Sequence, residues 1–144
     1  MEFVQPKGGA MHRIVVGYDG SESARRALFR VAELARNGVA VTIVTAVPLD
    51  VTSLGPEPPE PNEFATAAHE VEAALQLLRE NGVEARGVES EGDPAEVILE
   101  EAMTVGADLV VVGTRGKNAV ERFLLGSVSD KVAHRAPCDV LVIR

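Results

Sequence analysis

The sequence predicts an α/β fold, a parallel sheet with helices on both faces. Three observations carry the prediction. Apolar, β-branched runs alternate with segments of helical apolar spacing in the order βαβαβαβαβ, and such alternation implies a parallel sheet joined by right-handed crossovers. The run Ile14–Val16 is apolar without interruption, and Asp108–Val112 is nearly so, as suits strands covered on both faces. The helical segments close on turn residues, Asn37-Gly38, Asn81-Gly82, Gly106 and Pro137.

The elements follow in order. His12–Tyr18 is the first strand. Ser21 is placed to cap a helix whose inward residues are Ala24, Ala27, Leu28, Val31, Leu34 and Ala35. Val39–Val47 is the second strand. The stretch from Pro48 to Phe64, PLDVTSLGPEPPEPNEF, holds five prolines and reads as a mobile loop, too short and too embedded to link domains. A second helix presents Phe64, Ala67, Ala68, Val71, Ala74, Leu75 and Leu78. Val83–Ser90 alternates weakly, as an edge strand does. GDPAEV then opens a third helix, with Asp93 as N-cap, Pro94 at N1 and Glu96 at N3 of a capping box; Ile98, Ala102 and Val105 face inward. Asp108–Val112 is the most apolar strand and therefore an interior one. Ser127–Arg135 forms the last helix with Val128 and Val132 inward, and Asp139–Ile143 the last strand.

Bulk properties narrow the function. The 144 residues fit one domain, taken as residues 11–144, with 1–10 (MEFVQPKGGA) as a flexible N-terminal extension. Apolar residues are 46% and aromatics only 3%, so the core is aliphatic. Lys plus Arg number 14 against 22 Asp plus Glu, a net charge of −8. With no basic block, no nucleic-acid partner is expected. The single cysteine, Cys138, excludes an intramolecular disulfide and argues against a thiolate metal cluster; it reads as a partly buried structural thiol. No apolar run approaches the ~18–20 residues of a membrane span, and the N-terminus is too polar for a signal peptide. No membrane partner is expected, and the location expected is cytoplasmic.

Two segments leave strand ends with glycines and polar groups: GYDGSES (Gly17–Ser23) and GTRGKNAVERFLLGS (Gly113–Ser127). Ligands of open α/β sheets bind beyond the carboxyl ends of strands where strand order reverses. If the strands before these segments are neighbours, the segments flank one crevice. Gly113 and Gly116 let the backbone turn and expose N–H groups, and Gly126-Ser127-Val128 opens a helix, where free N–H groups and the dipole favour an anion. Arg115, Lys117 and Arg122 add positive charge. The combination suits phosphate, while ordinary turns and an N-cap serine explain the same residues more plainly. Neither a P-loop nor a G-x-G-x-x-G fingerprint is present.

GTRGKNAVERFLLGS matches G-x2-G-x9-G-[ST], and by it the chain resembles the ATP-binding branch of the universal stress protein family. RIVVGYDGSESARRAL looks like that family's opening strand and helix, GDPAEVILEEA like the approach to its fourth strand, and ADLVVVGTRG with LLGSVSDKVAHRAPCDVLVIR like its C-terminal third. The resemblance runs from about Met11 to Arg144. It implies a three-layer α/β/α sandwich of the adenine nucleotide alpha hydrolase-like type, with a five-stranded parallel sheet in the order 3-2-1-4-5, which sets the first and fourth strands side by side.

It also implies an ATP site, with AMP or ADP as alternatives and Mg carried on the phosphates. Asp19 accepts a ribose hydroxyl hydrogen bond, although an Asx-turn is its simpler role. Gly17 keeps the floor open. Ala46 and Val47 offer backbone groups and apolar contact to adenine, or are plain core. Gly113 lies against the ribose. Gly116, Gly126, Ser127 and Val128 donate N–H groups to the phosphates, with help from Arg115.

Near this crevice the sequence offers one carboxylate, Asp19, with no His–Asp pair and no second acid. That suits a nucleotide-dependent signalling or stress-adaptation module with at most slow ATP hydrolysis. Two alternatives stay open: a dimeric interaction scaffold with no bound nucleotide, and an ATP-pyrophosphatase or adenylyl-transfer enzyme, for which the Ser-Gly-Gly loop and the H-x-G-H motif are missing. The implied strand order makes VLVI an exposed apolar edge, and such edges need pairing. A homodimer through strand 139–143 is expected.

Overall fold

The chain is described here from a computed structural model, which covers residues 11–35, 38–114 and 126–144. Arg115, Gly116, Lys117, Arg122, Asn37 and the proposed extension 1–10 lie outside the described residues.

Strand β1 (Arg13–Gly17) has Ile14, Val15 and Val16 with no exposed surface. A strand apolar on both faces needs cover on both, and the rest of the fold supplies it. Ser21 caps helix α1 (Glu22–Leu34), its side chain accepting the Ala24 N–H at 3.2 Å. Strand β2 (Ala40–Val47) pairs parallel to β1, Gly17 opposite Val44. Two short antiparallel strands follow, β3 (Asp50–Thr52) and β4 (Gly55–Glu57). Helix α2 (Pro61–Glu80) leads to the edge strand β5 (Ala85–Glu91). Helix α3 (Pro94–Val105), strand β6 (Leu109–Gly113), helix α4 (Ser127–Arg135) and strand β7 (Asp139–Ile143) complete the chain.

The main sheet runs β5-β2-β1-β6-β7, all parallel. Leaving out the β3–β4 hairpin, this is the expected order 3-2-1-4-5. Alternation along each strand divides the core in two. Ile14, Val16, Ile43 and Val111 pack under α1 and α2 with Leu28, Val31 and Leu78, while Val15, Val44, Val110 and Val112 pack under α3 and α4 with Ile98, Ala102 and Val132. Each fully buried Val, Leu or Ile contributes roughly 1.5–3 kcal/mol relative to exposure.

Several expectations need correction. The stretch 48–64 is not a plain loop. Residues 50–57 form a hairpin turning at Ser53-Leu54, with Gly55 opening the return strand at a φ of +115° that favours glycine, and α2 already begins at Pro61, the residue type suited to N1. The Glu63 carboxylate of α2 accepts the Glu60 N–H at 2.7 Å, so the reciprocal capping contact sits here. At α3 only half of the expected box is present. Asp93 accepts the Glu96 N–H at 3.2 Å, and the Glu96 carboxylate instead meets Lys131 and Arg135. Leu34, Phe64 and Ala68 face solvent rather than the core. At the end of α3, Gly106 adopts φ +66° as the left-handed cap.

Candidate functional site

The site begins as a mismatch in strand length. β1 stops at Gly17, opposite Val44, while β2 continues to Val47. The Tyr18 N–H still reaches the Val44 carbonyl at 2.9 Å, and the chain then turns into α1. Asp19 makes that turn, its Oδ1 accepting the Ser21 N–H at 2.9 Å. The Asx-turn is therefore real, and it leaves the second carboxylate oxygen of Asp19 outside this bond. Thr45, buried in β2, donates its hydroxyl to the Tyr18 carbonyl at 2.9 Å and holds the turn against the sheet.

Backbone groups alternate sides along a strand. Val44 faces β1, so Ala46 also turns its N–H and C=O that way, beyond the end of β1. Val47 faces the other way, its carbonyl accepting the Gly92 N–H at 3.0 Å, and it is fully buried. Of the two residues expected at the base position, only Ala46 borders the opening.

On the far side β6 ends at Gly113. A cavity opens between these strand ends, bordered by Gly17, Asp19, Ala46, Gly113 and Val128, with Tyr18, Ser21 and Ala24 on the α1 side and Val44, Val112, Pro94 and Ile98 beneath. Five of the expected site residues thus share one cavity. Tyr18, Pro94 and Ile98 were not singled out from sequence. Pro94 was visible there only as a helix-start signal, and Ile98 only as an inward residue of its helix.

The two strand-end glycines have distinct reasons. A Cβ on Gly17 would lie 2.5 Å from Ile98 Cδ1, the far end of a side chain. A Cβ on Gly113 would lie 2.8 Å from the Ser23 carbonyl carbon and 2.9 Å from the Ala24 nitrogen. Both are backbone atoms of α1, so Gly113 sets how closely α1 seats on β6.

Three helix N-termini border the cavity and differ in their caps. α1 is capped by Ser21 and α3 by the Asp93 carboxylate. α4 has Gly126 as N-cap, with no side-chain hydrogen bond. The Gly126 N–H is given to the Thr114 carbonyl at 2.6 Å, so it is not the free donor expected. The first-turn N–H groups of Ser127 and Val128 have no helical partner, and among the described residues none takes them. Ser127 stands at N1 rather than N-cap. Ser129, read only as a helix residue, is buried and donates to the carbonyls of Gly126 at 3.0 Å and Thr114 at 3.2 Å. α4 is tied to α3 by Lys131, 3.0 Å from Glu96 and 3.3 Å from Asp93, and by Arg135 on Glu96. Hydrogen bonds from Lys131 and then Arg135 hold the Glu96 carboxyl below its ordinary value.

Elsewhere, His69 and His134 are exposed. Among the described residues no group of three His, Cys, Asp or Glu is placed to hold a metal ion, and no helix is long and apolar enough to cross a membrane. Cys138 is half-buried, and burial pushes its thiol up to about 11.

Together these features define a three-layer α/β/α domain with a cavity where its strand order reverses and one uncapped helix N-terminus beside it. Comparison with known proteins identifies the group. The chain belongs to the universal stress protein family, whose profile matches residues 11–144. The stress response protein NhaX of Bacillus subtilis is 31% identical over 166 residues, spanning 92% of this chain and 97% of its own. Two solved structures superpose closely. The universal stress protein of Archaeoglobus fulgidus in complex with dAMP does so with TM-score 0.74 at 26% identity, covering 93% and 98% of the two chains. A universal stress protein in complex with cAMP does so with TM-score 0.70 at 27% identity, covering 94% and 98%.

Proposed function

We propose that this chain binds an adenine nucleotide, ATP with Mg or else AMP or ADP, and acts as a nucleotide-dependent stress-adaptation module in the cytoplasm, residues 11–144 forming the binding domain. The carrying observation is the cavity between the ends of β1 and β6, with an uncapped helix N-terminus at its margin. Free N–H groups and the dipole favour an anion there. Its apolar floor and the free backbone of Ala46 suit a base with both donor and acceptor edges. Related chains solved with dAMP and cAMP support an adenine ligand.

In this reading Asp19 accepts from a ribose hydroxyl, Ala46 pairs with the base edge, Gly17 keeps the floor open and Gly113 lies against the ribose. Ser127 and Val128 donate N–H groups to phosphate, and Arg115 and Gly116 supply the rest of the phosphate contact. Mg, carried by the phosphates, offsets their charge. Asp19 is the only carboxylate bordering the cavity among the described residues, so binding is favoured over rapid hydrolysis.

We also propose a homodimer through β7. The opposite edge, β5, carries Arg86, Glu89 and Glu91 outward, whereas β7 is apolar from Val140 to Ile143 and only partly covered. Charged edges resist strand addition and apolar edges invite it.

Mass spectrometry of nucleotide released from denatured protein tests the binding reading, with Gly116→Val alongside. Bound ATP in the parent and none in the variant is the expected result. An empty parent that also gives no heat on titration with ATP and Mg overturns the reading and leaves the scaffold. Release of AMP and pyrophosphate in the presence of a co-substrate overturns it in favour of an enzyme.

A further inference from the structure

Thr114 carries the one buried side-chain oxygen or nitrogen without a hydrogen-bond partner among the described residues, its Oγ1. The residue is only 7% exposed. A buried hydroxyl left unpaired is costly, and natural proteins keep few of them. Such a group needs a reason.

Its position supplies one. Thr114 follows Gly113, which borders the cavity. The strand geometry continues through it, since its N–H reaches the Ile143 carbonyl at 2.7 Å. Side chains on β6 alternate: Val110 and Val112 lie on the α3–α4 face, so Thr114, two residues on, points to the same face. Its carbonyl accepts from the Gly126 N–H at 2.6 Å and the Ser129 hydroxyl at 3.2 Å. The side chain that bears the unpaired hydroxyl is therefore on the face that α4 covers, and the carbonyl of the same residue holds the first turn of α4, the one uncapped N-terminus of the three at the cavity. Backbone contacts of Thr114 already hold that turn in place, and its side chain takes no part in them.

We propose that the Thr114 hydroxyl is a further anion-binding group of this site, donating to a phosphoryl oxygen seated at the N-terminus of α4. The inference rests on the adenine-nucleotide reading for the identity of the phosphate carrier and on the orphaned hydroxyl for the contact itself. A hydroxyl on an ionised oxygen makes a short, charge-assisted bond. Its partner arrives with the ligand, so the free protein keeps the hydroxyl unpaired.

The test compares wild type with Thr114→Val and Thr114→Ser by calorimetric titration with adenosine, AMP and pyrophosphate, and by thermal melting without ligand. Thr114→Val is expected to bind AMP and pyrophosphate roughly tenfold more weakly. Its adenosine affinity should stay within about twofold, and Thr114→Ser should restore the phosphate contact. Without ligand, Thr114→Val should melt no lower than wild type, because it removes an unsatisfied group. A Thr114→Val protein that keeps wild-type AMP affinity overturns the inference, and so does one that melts several degrees lower without ligand. The two readings separate cleanly. A wild type that binds pyrophosphate with the predicted loss in Thr114→Val, yet ignores adenosine, keeps the hydroxyl and sinks the nucleotide. A wild type that binds neither sinks both.

Discussion

Gly113→Ala tests whether this glycine exists for the packing of α1. The new Cβ would stand 2.8 Å from the Ser23 carbonyl carbon and 2.9 Å from the Ala24 nitrogen. Ordinary carbon contacts begin near ~3.5 Å, so α1 must retreat from β6 by roughly 0.6 Å. That loosens Ala24, Ala27 and Leu28, all buried. Overpacking of this kind costs about 1–3 kcal/mol. For a chain of this length the unfolding entropy is about 0.3 kcal/mol/K, so Tm should fall by roughly 3–10 °C. Gly17→Ala is the internal contrast. Its Cβ would meet Ile98 Cδ1 at 2.5 Å, an atom that Ile98→Val removes. Gly17→Ala should therefore be partly rescued by Ile98→Val, with a coupling of about 1 kcal/mol in a double-mutant cycle. No side-chain change removes the backbone atoms facing Gly113, so Ser23→Ala should recover little there. Calorimetric melting of these single and double variants decides it. A Gly113→Ala protein that melts within about 1 °C of wild type refutes the packing argument.

Four further outcomes follow from the same geometry. Thr45→Val removes the buried hydroxyl that holds the Tyr18 carbonyl, and urea unfolding should show a loss of about 1–2 kcal/mol. The Glu96 carboxyl is held below 4.5 in the folded chain, so its support is complete above that value and fades as pH falls below it. The Tm gap between wild type and Glu96→Gln should therefore close in acid and in high salt, and a constant gap refutes the pairing. With its thiol raised to about 11, Cys138 in the native protein should alkylate at pH ~8 on the order of 100-fold more slowly than in urea. On β7, Ile143 turns its carbonyl to Thr114, so the neighbouring Val142 turns its N–H to the open edge. Val142→Pro should abolish the dimer in sedimentation while leaving the β6 ladder paired, and a variant that still dimerises places the interface elsewhere.

What the sequence made legible was the pattern that repeats. Uninterrupted aliphatic runs marked β1 and β6, and the caps at Ser21 and Asp93 marked helix starts to the residue. The β3–β4 hairpin escaped because three-residue strands are too short for alternation to register, and because its prolines read as breakers. The outward Ala68 escaped because alanine fits either face of a helix. At the site, the residues at strand ends were legible from glycine and turn chemistry. Ile98 and Thr114 were not. Ile98 enters the cavity only because α3 crosses the end of β1, and the Thr114 hydroxyl counts only because none of the described residues pairs with it. Both facts belong to tertiary geometry.

Gly113 shows why a glycine signature alone does not assign contacts. The expectation placed it against a ribose, and it does border the cavity. Its missing side chain, however, leaves room for the backbone of α1 on the other face of β6. Loss of nucleotide from a Gly113 variant would therefore have two causes: a blocked cavity, or an α1 that no longer seats and carries the Asp19 turn with it. Thr114, by alternation with Val110 and Val112, points to the opposite face. A loss of AMP affinity in Thr114→Val, at unchanged melting temperature, thus reports on the phosphate end of the cavity in a way that no Gly113 variant can.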